Sequence, residues 1–170
     1  MNITRWLWRG LGFALLLIVF TTGLAQGIPA TIAPFEITLA NGKVFTATQL
    51  IKNKPTVLIY FDPDCEHCVL FTKELLKRST SIKDKQVVMV TYQPMGMVQS
   101  FNKNFGLSSY PNIKMGTELE TFVVRKYYGV TTFPFVALYK ANGKAAGIYN
   151  KGMNDANAIN NMIKTIATLK

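Results

Sequence analysis

The sequence predicts an α/β fold, a central mixed β-sheet flanked by helices, on three observations. Residues 56–61 (TVLIYF) and 86–92 (QVVMVTY) are continuous apolar, β-branched and aromatic runs, the pattern of strands buried on both faces. Between them the period becomes helical: Val69, Phe71 or Thr72, Leu75 and Leu76 recur on one side, with Lys73, Glu74, Lys77 and Arg78 between them. Beyond Pro134, residues 135–139 (FVALY) and 145–149 flank the turn Ala141-Asn142-Gly143-Lys144 and read as a closing strand pair.

The remaining elements are taken in chain order. Residues 31–39 (TIAPFEITL) alternate as a strand. Asn41-Gly42 is a hairpin signal, and residues 43–46 return as a second short strand, forming an N-terminal β-hairpin extension. The first helix starts at Cys65 and ends within 79–83. A second helix covers 97–105 and stops at Gly106. Residues 108–114, holding Tyr110-Pro111, read as a loop or short strand. A third helix spans 118–128 and closes on Gly129. The last, 155–169, puts Ile159, Met162, Ile163 and Ile166 on one face, with Asn154 as its N-cap.

A length of 170 residues with 49% hydrophobic content fits one domain with a real core, preceded by a leader. Arg5 and Arg9, the apolar run 11–20 and the small residues Gly23 and Ala25 make a secretory signal, so 1–25 is expected to be a signal peptide and 26–170 the domain. The rival reading is an uncleaved membrane tether through 6–24. Either places the domain in the periplasm or otherwise outside the cytoplasm. Removing Arg5 and Arg9 from the 19 basic residues leaves 17 against nine acids, a net charge of +8. These cations are scattered, with no basic helix or aromatic-interleaved patch, which argues against nucleic-acid binding.

Residues 61–68 (FDPDCEHC) hold the chain's two cysteines, its one histidine and three of its nine acids. Two cysteines at i and i+3 share a helix face. The first stands where a buried strand gives way to a helix N-terminus, whose free N–H groups and dipole favour an anion. A thiolate at Cys65 is favoured there, and Cys68 lies one turn away to resolve a mixed disulfide. The plainer readings are weaker. A C-x-x-C bridge closes a very short loop and constrains the unfolded chain little. Zinc needs four ligands, and Cys65, Cys68 and His67 are all that Cys and His supply. A copper site with Met95 and Met97 competes with their ordinary use as core residues.

With these residues in view, the chain resembles thioredoxin-fold thiol–disulfide oxidoreductases, most closely the exported TlpA/ResA-like group. TVLIYFDPDCEHC is similar to that family's strand, active-site loop and helix start. Residues 128–144 (YYGVTTFPFVALYKANGK) resemble its cis-proline segment. The resemblance covers roughly 32–169 and implies a thioredoxin-like fold, with Cys65 as nucleophile and Cys68 as resolving thiol. It also implies a cis Phe133–Pro134 bond whose backbone edge binds substrate, and no cofactor or metal beyond the cysteine pair. The implied partners are exported protein or peptide disulfides and an upstream membrane electron donor, with the chain acting as a monomer.

Two departures stand out. Asp64 replaces the tryptophan many relatives carry before the first cysteine, and Ile59 occupies the place of the buried aspartate of thioredoxins proper. Asp62, Asp64 and Glu66 are the candidate replacements for that carboxylate. His67 resembles the histidine of oxidants and isomerases and favours the thiolate. Glu66, with Asp62 and Asp64, opposes it and favours a more reducing couple. Glu66, His67 and Asp64 are therefore the expected redox-tuning residues, and the excess of acid points to a reductant. The alternatives are a disulfide oxidase or isomerase, and a non-catalytic binding module. Peroxiredoxin chemistry is disfavoured, because Asp62 and Leu58 stand where its pattern needs Thr or Ser and Pro.

Overall fold

The computed structural model describes residues 29–151 and 153–170; the expected signal peptide lies outside them. Seven strands form one sheet in the order β2-β1-β5-β4-β3-β6-β7. They are β1 (Glu36–Leu39), β2 (Val44–Thr46), β3 (Thr56–Tyr60), β4 (Gln86–Thr91), β5 (Ile113–Thr117), β6 (Phe135–Tyr139) and β7 (Ala145–Tyr149). β3, β4 and β5 run parallel, while β6 pairs antiparallel with β3 and β1 antiparallel with β5. The helices are α1 (Glu66–Lys77), α2 (Ser79–Ile82), α3 (Met95–Phe105), α4 (Val123–Tyr128) and α5 (Ala156–Thr168).

β3 is buried along its whole length because it lies between two cores. Side chains alternate across a strand. Val57 and Ile59 therefore enter the core shared with Phe71 and Leu75 of α1, Val98 of α3, and Ile159 and Ile163 of α5. Leu58 and Tyr60 enter the opposite core with Val124 and Tyr128 of α4, Phe135 and the incoming segment at Ala33 and Phe35. This two-sided burial ends where β3 does, and the chain leaves the sheet directly into the cysteine loop.

Several expectations are corrected. Only 36–39 of the stretch 31–39 is strand; the residues before it pass over α4, where Ala33 N–H donates to Tyr128 Oη at 3.0 Å and Thr31 O accepts from Tyr127 and Tyr139. Of the stretch read as a loop or short strand, only 113 and 114 are strand, and β5 runs on to Thr117, its apolar signal broken by Lys114 and Gly116. The glycine is required: a Cβ there would sit 2.5 Å from Thr38 O of β1. The helix expected over 118–128 is broken. A single 3-10 turn, Leu119–Thr121, is followed by Phe122 at φ 49°, and α4 starts only at Val123. The first helix is likewise interrupted at Arg78, before α2. α3 begins two residues earlier than expected, after Pro94. The N-cap of α5 is Asp155, whose Oδ1 accepts from Ala158 N–H at 2.9 Å, and not Asn154.

Candidate functional site

The two cysteines stand at the C-terminal end of β3. Cys65 is the N-cap of α1 with extended backbone, so helical structure begins at Glu66, one residue later than the sequence period implied. Its N–H donates to Asp62 O at 3.1 Å and its own carbonyl accepts from Val69, which closes the loop tightly onto the first turn. Cys65 is half-buried. Cys68, one turn on, is only 1% exposed and packs in the α1 core. The two thiols are not bonded to each other in the structure.

Phe133 and Pro134 lie on the other side of Cys65. Their peptide bond is cis, and the carbonyl oxygen of Phe133 is 3.9 Å from Cys65 Sγ. Residues 68 positions apart thus meet because β6 pairs beside β3, with Tyr60 opposite Phe135. A hollow of about 260 Å³ adjoins this edge, lined by Thr132, Phe133, Pro134, Lys151, Met153 and Asn154.

Burial pushes the Cys68 thiol up from its ordinary range. A hydrogen bond from the Asp62 backbone pulls it down in part, while a hydrogen bond shared with Cys65 and the negative fields of Cys65 and Asp62 add to the rise. A neutral, buried thiol behind a half-exposed one is an asymmetric pair: only Cys65 can be reached from outside.

The three acids occupy different surroundings. Asp62 turns toward the sheet: Oδ2 accepts from Tyr92 Oη at 2.8 Å and from Gln93 Nε2 at 3.0 Å, and Oδ1 accepts from Asp64 N–H at 3.0 Å. The Tyr92 hydroxyl is held above its ordinary pKa by that bond to Asp62, with burial second. Asp64 and Glu66 lie on the outer side of the loop, and His67 is half-buried. Of the three acids, Asp62 is thus the one fixed in place beside the cysteine pair.

Sequence reasoning did not single out Glu118, Tyr92, Phe122 or Arg125. Glu118 is 3% exposed. It accepts from Tyr60 Oη at 2.8 Å and Val124 N–H at 2.8 Å, with a longer approach from Arg125 N–H at 3.4 Å. Burial, then the bond to Glu118, keeps the Tyr60 hydroxyl protonated far above its usual range. All four residues come after β4 or β5, at the same sheet end as Cys65. The segments that leave the C-terminal ends of the parallel strands are where such residues are to be sought, since functional groups gather at that end of open α/β sheets. No group of three or more His, Cys, Asp and Glu side chains among the described residues is arranged to hold a metal ion.

The thioredoxin-like domain signature matches residues 46–167. The chain belongs to the thioredoxin-like family. Among solved structures it is similar to a secreted disulfide oxidoreductase of Mycobacterium tuberculosis homologous to E. coli DsbE. That match has 23% identity and a TM-score of 0.67, and covers 80% of this chain and 96% of that one. It is also similar to the thioredoxin domain of a thiol–disulfide oxidoreductase from Bacteroides vulgatus, at 15% identity and TM-score 0.63, covering 83% and 99%. At these identities the likeness establishes the fold, a thioredoxin-like mixed sheet flanked by helices. No curated protein sequence matches the chain. Among the described residues no helix is long and apolar enough to cross a membrane.

Proposed function

We propose that this protein is an extracytoplasmic thiol–disulfide oxidoreductase that reduces disulfides of exported proteins or peptides. The observation that carries the reading is the asymmetric pair: half-exposed Cys65 at the start of α1, 3.9 Å from the Phe133 carbonyl, with buried Cys68 behind it.

In the forward direction the Cys65 thiolate attacks one sulfur of the substrate disulfide. The other substrate sulfur leaves as a thiolate and takes a proton from water, and Cys65 is left in a mixed disulfide. Cys68 then gives up its proton and attacks Cys65 Sγ, the bound substrate sulfur departs as the second thiol, and a Cys65–Cys68 disulfide forms. Two electrons have passed to the substrate, and a dithiol donor must restore the pair. A membrane reductase fits that role, as in the exported TlpA/ResA-like group. The similarity to a protein described as secreted supports an extracytoplasmic setting, as does the leader read in 1–25.

Asp62 is the carboxylate we assign to the Cys68 proton. It is the acid anchored beside the pair, and its field acts on Cys68. Asp64 and Glu66 on the loop oppose the helix dipole and His67, favouring the disulfide of the protein and hence a reducing couple.

The test is equilibration of the protein against graded thiol buffers. A potential at or below about −250 mV supports the reductant. One near about −180 mV or above transfers the assignment to an oxidase or isomerase. A pair that does not titrate removes exchange chemistry altogether and leaves a binding module.

A further inference from the structure

The substrate edge carries a cation that nothing in the exchange mechanism uses. Arg125, near the start of α4, is half-buried. Its guanidinium carbon lies 5.4 Å from the Tyr92 ring centroid and 5.8 Å from those of Phe122 and Phe133. The rings are themselves stacked or tilted together at about 6 Å. Among the described residues no carboxylate pairs with the guanidinium. The nearby acids are engaged elsewhere, Asp62 with Tyr92 Oη and Gln93, and Glu118 with Tyr60 Oη and the backbone of α4.

Cation–π contacts do not consume the guanidinium's N–H donors, which keep the fork that matches a carboxylate. One of the rings it packs on belongs to Phe133, whose carbonyl faces Cys65. Phe133 thus stands between the thiol and the cation, on the path of an extended peptide that advances about 3.3 Å per residue from a cysteine bound at Cys65. Phe122 is held in the left-handed region at φ 49°, a conformation unfavourable for a non-glycine residue. Lys126 Nζ lies 5.9 Å from the same ring, and Lys151 lines the hollow beyond Pro134. Cations thus stand near Phe122 and near Pro134, while exposed Asp64 and Glu66 lie on the cysteine loop.

Resting on the reading above, we propose that Arg125, seated on Tyr92, Phe122 and Phe133, is a specificity residue that selects polypeptide disulfides with an acidic residue beside the reacting cysteine. The exchange chemistry is unchanged; the ion pair acts on capture of the substrate.

The experiment uses three disulfide-linked fluorogenic peptides that differ only in the residues flanking the cysteine: Glu, Ala or Lys. The second-order rate constant of each with the reduced protein is measured at low and at physiological salt. The wild type is expected to favour Glu over Lys about fivefold, the effect of an ion pair worth about 1 kcal/mol. The ratio should fall as salt rises. Arg125→Ala should bring it near one, and Arg125→Glu should invert it. Arg125→Gln, which keeps a planar group on the rings without the charge, serves if the alanine variant unfolds.

A wild-type ratio of one, with the alanine peptide still exchanged, overturns this proposal alone. So does a preference that survives Arg125→Ala and Arg125→Gln, which would belong to the general positive charge. If none of the peptides, alanine included, exchanges with the wild type, the function proposed above fails and this inference with it.

Discussion

The two ends of the sheet differ in what they offer a ligand. The larger cavity, about 570 Å³, is at the end away from the thiols, where Phe45, Leu50, Gln86, Asn112 and three lysines, 54, 83 and 114, line a largely apolar groove. Beside Pro134, at the thiol end, lies a hollow of about 260 Å³. Yet half-exposed Cys65, the cis peptide bond, the anchored Asp62 and the ring-seated Arg125 all gather at that shallow end. Small-molecule sites are generally concave and enclosing, and a shallow edge fits the polypeptide substrate proposed above. Cavity size alone would point to the opposite end.

The contrast is tested most severely at the thiols. Cys65→Ser is expected to abolish exchange with any disulfide, while Cys68→Ser should still react through Cys65 and accumulate a mixed disulfide it cannot resolve. Mass spectrometry of the protein mixed with a disulfide peptide reads both. Trapping through Cys68 in the Cys65→Ser variant would reverse the assigned roles.

The next effect is on stability. Glu118→Ala leaves the buried Tyr60 hydroxyl and the Val124 N–H without their acceptor, which should cost about 2–4 kcal/mol. A loss of less than about 0.5 kcal/mol in urea unfolding would mean that water replaces the carboxylate and that α4 is not held by it.

The thiol end was legible in the sequence where its features are local. The run TVLIYF is a buried strand because both of its faces are covered, and Cys65 and Cys68 follow from their spacing at the switch to a helical period. The features that could not be read depend on contacts far apart in the chain. β5 was obscured by Lys114 and Gly116, and Gly116 makes sense only once Thr38 of β1 lies against it. The break at Phe122 follows from the turn that brings the Glu118 carboxylate onto Val124 and Tyr60. Tyr92, Phe122, Arg125 and Phe133 are brought together by the order of the sheet, not by any spacing in the sequence. Asp62, Asp64 and Glu66 were equal candidates as a composition, and only Tyr92 and Gln93 separate them.

A smaller, graded effect tests the asymmetry of the two cysteines. The folded state raises the Cys68 thiol, so its stabilising contribution is fully present below the unfolded thiol pKa of about 8.5 and is lost as pH rises above it. Above that point the unfolded chain has lost a proton that the native chain keeps. The reduced protein should therefore lose about 1.4 kcal/mol of stability per pH unit from this group. Tyr60, Tyr128 and Tyr139, also raised by burial, steepen the fall above about pH 10. Urea unfolding of the reduced wild type and of Cys68→Ser between about pH 7 and pH 10 isolates the thiol. The variant's curve should be flatter by that slope, and parallel curves would show that Cys68 ionises in the folded protein as it does in the unfolded.

The smallest expected effect is at the far end, and it is informative because it is small. Lys83 lines the large groove. β3 alone, five residues long, separates that end from the thiol end by about 13 Å, beyond the screening length of about 10 Å at 0.1 M salt. Lys83→Glu reverses a charge in the groove and should leave exchange rates within about twofold of wild type for Glu, Ala and Lys peptides alike, with stability changed by less than about 0.5 kcal/mol. Arg125→Glu makes the same reversal of charge at the other end and should invert peptide preference. If both variants shifted preference equally, the protein would be reading its overall charge, and the local geometry at Tyr92, Phe122 and Phe133 would lose its role. If Lys83→Glu slowed every peptide tenfold, the groove would belong to the exchange reaction, and the contrast between a chemical edge and an idle cavity would have to be abandoned.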